Sequence, residues 1–122
     1  MKVEQLDDRK LRIGEKVIQF DYEIADVLTM SDRVIVLFDV LSFAEDDPDT
    51  GRNVFAYDAN GNELWRIEDA RVMVEGELLE KVSHGYTELH RTQDKTLHAW
   101  VKDWRYDLNT ETGEISNPKY VR

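Results

Sequence analysis

A chain of 122 residues is long enough for one domain with a real core, and 41% hydrophobic content in short clusters predicts that it folds. Twenty-six Asp and Glu against sixteen Lys and Arg give a formal charge of −10. Such a chain is repelled by nucleic acid and anionic membranes and attracts basic partners. No apolar run approaches the ~20 residues of a membrane span, and the first residues carry no apolar secretory stretch. There is no cysteine, which excludes disulfide and thiol chemistry and fits a cytoplasmic protein.

In chain order, residues 11–20 read as a hairpin turning at Gly14-Glu15. Residues 24–30 read as a strand ending at Ser31-Asp32, and residues 33–40 as a nearly continuous apolar, β-branched run. That run suits a central strand buried on both faces. Residues 42–52 interrupt the pattern with Pro48, Gly51 and the carboxylates Glu45, Asp46, Asp47 and Asp49. This is an exposed loop longer than a hairpin turn needs.

Residues 53–67 read as two strands joined at Asn60-Gly61, a pair suited to a type I′ turn with positive φ at both central positions. Asp58, just before the turn, can accept backbone N–H bonds there. Over residues 69–83, Val74, Leu78 and Val82 have helical i,i+4 spacing interrupted by Gly76, and a short helix is expected. Residues 86–92 and 96–101 form a hairpin through Gln93-Asp94-Lys95, and residues 104–108 and 113–116 form the last one. That last hairpin repeats the signature: Tyr57-Asp58 recurs as Tyr106-Asp107, and Gly61 with Glu63-Leu64 recurs as Gly113-Glu114-Ile115.

Locally joined strands at such spacing predict an all-β protein of antiparallel meanders. The chain is one domain, 1–122, with repeated four-stranded units at about 24–67 and 86–116. A propeller needs about 4 blades of ~40–45 residues, so this chain cannot close alone. It predicts a partial (half) β-propeller-like assembly whose open edges are covered, charged or used. Val34, Val36, Phe38, Phe55, Trp65, Leu97 and Trp100 lie in the most apolar β segments and are the leading core candidates.

Chemistry is sparse. If Gln93 pairs Thr96 across a two-residue turn, His90 and His98 fall on opposite faces of their sheet. With His84 they then make no metal site, and there is no His-Glu-x-x-His motif. The acidic loop does not match the spacing of a calcium-binding loop. Carboxylates are so abundant that no hydrolytic pair stands out, and neither a nucleophile elbow nor a phosphate-cradling glycine loop occurs. No catalytic residue, metal ligand or cofactor is expected. The aromatic residues Trp65, Trp100, Trp104, Tyr57, Tyr106 and Phe55 gather in the two repeated hairpins, as packing pairs or as a protein-binding patch. Glu45, Asp46, Asp47 and Asp49 are the candidate partner-binding residues, because long loops on a rigid sheet are common binding elements.

Ala56-x-Asp58-x-Asn60-Gly61, closing on Trp65, resembles the blade repeat of quinoprotein-type propellers, one residue shorter at the turn. The other blades and the quinone-site residues are missing, so no quinone chemistry is implied. A wider set, from Ile24 and Val36 through Asn53-Val-Phe-Ala-Tyr-Asp58, Gly61 and Trp65, continues to Trp104-x-Tyr-Asp107 and Thr112-Gly113. With it the chain is similar to small acidic bacterial half-propeller proteins, among them immunity proteins of contact-dependent growth inhibition. The resemblance implies a non-enzymatic, cytoplasmic immunity protein that binds a cognate toxin domain, a basic nuclease, and covers its active site. Alternatives are a small carboxylate-based enzyme or sugar-binding domain beside Trp100 or Trp104, and a self-associating structural subunit.

Overall fold

Val34, Ile35, Val36, Leu37 and Phe38 are all buried, because the strand that carries them has another sheet packed against each of its faces. The computed structural model describes residues 1–70, 85–93 and 96–121. Strands β1 (Val3–Asp7), β2 (Lys10–Ile13) and β3 (Lys16–Gln19) form a first sheet in sequential order. A second sheet holds β4 (Ile24–Thr29), β5 (Arg33–Phe38), β6 (Val54–Asp58) and β7 (Glu63–Arg66). A third holds β8 (Glu88–Arg91), β9 (Leu97–Val101), β10 (Trp104–Leu108) and β11 (Ile115–Tyr120). Every pairing is antiparallel between neighbours in sequence. The protein is all-β, built from three blade-like antiparallel meanders.

The layers follow from the alternation of side chains along each strand. Val34, Val36, Phe55 and Tyr57 face the first sheet and meet Leu11, Ile13 and Phe20. Ile35, Leu37, Val54 and Ala56 face the third sheet and meet Leu89, Leu97, Ala99 and Tyr106. A strand covered on both sides needs no polar face, which is why β5 reads as an unbroken apolar run. The two four-stranded sheets run from Ile24 to Arg66 and from Glu88 to Tyr120. β1 went unpredicted because its residues are exposed apart from a half-buried Val3, leaving little apolar signal.

Several expectations need correction. Trp100 is not in the core: Leu97, Ala99 and Val101 point inward along β9, so Trp100 shares the outer face with His98. The turn at 58–61 is not type I′, because φ is positive at Gly61 (80°) and not at Asn60. Gly61 N–H donates to the Asp58 carbonyl at 3.0 Å and Asp58 N–H to the Asn62 carbonyl at 2.9 Å. Ala59 and Asn60 thus form the turn, and Gly61 is the left-handed bulge residue after it. Asp58 plays its expected part, its Oδ1 accepting the N–H groups of Asn60 and Asn62, both at 2.9 Å.

In the last hairpin that part falls to Asn109, whose Oδ1 accepts Glu111 N–H at 2.9 Å. Asp107 sits mid-strand opposite His98 instead. The β8–β9 register is also one residue off the expectation. Thr92, not Gln93, pairs Thr96, and His90 lies directly opposite His98 on one face. The helix expected in 69–83 falls almost wholly on residues 71–84, outside the described residues.

Candidate partner-binding surface

The segment from Asp39 to Asn53 is tied down at both ends and in the middle. Asp39 caps a short 3-10 turn, Val40–Ser42, its Oδ1 accepting Leu41 N–H at 2.9 Å. Ser42 Oγ donates to the Asp39 carbonyl at 2.6 Å and accepts Glu23 N–H at 2.9 Å, which fastens the turn to the chain entering β4. Phe43 is buried and its ring stacks on Tyr22 with centroids 3.7 Å apart. At the far end, fully buried Asn53 donates to the carbonyls of Phe38 and Tyr86 and accepts Tyr86 N–H, at 2.7 to 2.8 Å. One side chain therefore bolts the loop's exit to the start of the third sheet.

The four candidate carboxylates separate into two pairs. Asp47 accepts the Tyr22 hydroxyl at 2.8 Å and Asp49 N–H at 2.8 Å. Asp49 takes a close hydrogen bond from Arg66 and lies 3.7 Å from the Arg52 guanidinium. Arg66 itself covers the Phe55 ring at 4.3 Å. Asp47 and Asp49 thus serve the loop's own architecture, while Glu45 and Asp46 face solvent. Charge spacing in a sequence cannot separate these pairs, because the partners Tyr22 and Arg66 are distant along the chain.

Sequence reasoning also missed Leu41. It is 89% exposed, the most exposed of the large apolar residues described, on a turn that is capped and anchored. A leucine held in solvent on a loop that also carries two exposed carboxylates can act as an apolar anchor within an acidic rim.

The outer face of the third sheet is polar. His90 Nε2 lies 3.4 Å from Glu88 and His98 Nε2 3.2 Å from Asp107, while the Arg105 guanidinium sits 5.9 Å from the Trp100 ring centre. Among the described residues no three His, Asp or Glu side chains converge as a metal site, and His84 lies outside them. Among the described residues no helix is long and apolar enough to cross a membrane.

No curated protein and no solved structure matches the chain. A family model matches residues 1–120, and the chain belongs to that family, Domain of unknown function (DUF7957).

Proposed function

We propose that this protein is a cytoplasmic protein-binding module that neutralises a basic partner domain, in the manner of an immunity protein covering the active site of its cognate nuclease toxin. The exposed, anchored Leu41, in the same loop as the exposed Glu45 and Asp46, is the observation that carries this reading. An apolar residue fixed in water has no role in the packing of the free chain. Its acidic setting selects a cationic surface, and a chain of charge −10 steers such a partner toward it. A nuclease cleft is suitably basic because it binds phosphates.

The test is co-expression with the product of the adjacent gene, followed by co-purification and titration of the purified pair. Stoichiometric complex formation that inhibits the partner's activity supports the reading. A partner that binds Leu41→Asp, Glu45→Gln, Asp46→Asn protein as tightly as the parent excludes the loop from the interface.

A further inference from the structure

A groove runs between β4 and β8, the first strands of the second and third sheets, each of which pairs on one side only among the described residues. It consists of two adjoining hollows of about 240 and 220 Å³ that share Ala25, Leu37 and Thr87. One end reaches Asp39 and Val40, beside Leu41, and the other reaches Glu88 and His90. Asp26, Asp39 and Glu88 are among its lining residues, and among the described residues neither Lys nor Arg lines it. Its walls are largely apolar and its fixed charge is negative.

The two edges differ. On β4, Met30 N–H donates to the Arg33 carbonyl, and the register continues through Leu28↔Ile35 and Asp26↔Leu37. Alternation then turns the Val27 amide outward. Asp26 closes it, Oδ1 accepting Val27 N–H at 2.8 Å. On β8, Thr92 N–H donates to Thr96 and the register places His90 opposite His98, so the same alternation turns the Leu89 amide toward the groove. Leu89 lines the groove, and its side chain also belongs to the core. One edge is thus capped by its own carboxylate, and the other turns outward an amide that meets no hydrogen-bond acceptor among the described residues.

We propose that the groove receives an extended, cationic segment of the basic partner, an inference that rests on the reading above. The segment's main chain adds to the β8 edge at Leu89, as in strand addition. A Lys or Arg stem crosses the apolar wall of Ala25 and Leu37, and its charged head meets Asp26, Asp39 or Glu88. The groove's end at Asp39 and Val40, the residues that precede Leu41, lets one partner engage loop and groove together.

The probe is a capped peptide, Thr-Val-Arg-Val-Lys-Val-Thr, compared with its counterpart carrying Glu at both basic positions, on the unmodified full chain. The basic peptide should move the backbone amide resonances of Ala25, Thr87 and Leu89, with affinity falling as salt rises, while the acidic peptide should not. Ala25→Trp and Thr87→Trp fill the groove from opposite sides, and each folded variant should bind the basic peptide at least tenfold more weakly. Equal binding of the two peptides, shifts confined to other surfaces, or undiminished binding by a folded groove variant would each overturn the proposal. If partner binding requires Leu41, Glu45 and Asp46 while the basic peptide leaves the groove resonances unmoved, the groove assignment falls and the loop reading stands. If the partner ignores the loop variant, the loop reading falls, and the peptide shifts still decide the groove.

Discussion

Tyr22 donates its hydroxyl hydrogen to Asp47 at 2.8 Å, joining the approach to β4 to a loop twenty-five residues later. With the Tyr22 ring stacked on Phe43, the contact holds the acidic loop in one shape. A binding loop that is already ordered loses less conformational entropy when a partner arrives. Burial, and then the Asp47 hydrogen bond, push the Tyr22 hydroxyl from 10.0 up to about 12.

The pH dependence follows from that direction. A folded value above the unfolded one gives a stabilisation that is complete below about pH 10 and lost as pH rises toward about 12. Tyr22→Phe should cost about 1 kcal/mol at neutral pH through the lost hydrogen bond. The gap between parent and variant should then narrow across the alkaline window. Denaturant midpoints of both proteins from neutral to alkaline pH check this, and a constant gap counts against it.

Asn53→Ala should destabilise the fold by about 3 kcal/mol, because it strands the buried Tyr86 N–H and leaves the Phe38 and Tyr86 carbonyls without their donor. Asn53→Asp should be at least as harmful, since an acceptor would replace the amide donor facing those carbonyls. Urea unfolding of both variants is the measurement, and a loss under ~0.5 kcal/mol would show that water or rearrangement replaces the side chain.

Gly85→Ala should cost about 2–4 kcal/mol. Its φ of 76° is left-handed, and an added Cβ would collide with the Val40 side chain and come within 2.6 Å of the Thr50 carbonyl oxygen. The same collision would disturb the anchored turn that presents Leu41. Thermal melting and partner affinity should therefore fall together in this variant; a melting temperature equal to the parent's would contradict the packing at this point.

Leu41→Ala should do the reverse. An exposed side chain contributes little to stability, so unfolding should change by no more than ~0.5 kcal/mol. Binding of the basic partner should weaken tenfold or more, about 1.4 kcal/mol. Calorimetric titration alongside a melting curve separates the two effects, and unchanged affinity would remove Leu41 from the interface.

Legibility in the sequence depended on the range of the physics involved. β5 was readable because full burial writes itself as a continuous run of apolar residues, and Gly14 and Gly61 marked turns through backbone sterics alone. The type of turn after Asp58 was less accessible, since Asn60-Gly61 serves both a two-residue turn and a bulged one. The outward position of Trp100 hinged on parity along β9, set by which face meets the second sheet, and β1 carried too few buried residues to show.

By itself, the sequence determined an all-β chain of meanders with two repeated units, a strongly acidic surface and a long carboxylate-rich loop. These follow from side-chain periodicity, local turn chemistry and charge count, all of which act over a few residues. Tertiary structure decided the rest. It set the register that brings His90 beside His98 and spent Asp47 and Asp49 on Tyr22 and Arg66. It left Leu41, Glu45 and Asp46 facing solvent. It also opened the groove between β4 and β8, because the walls of that groove come from strands about sixty residues apart that meet only when the sheets stack.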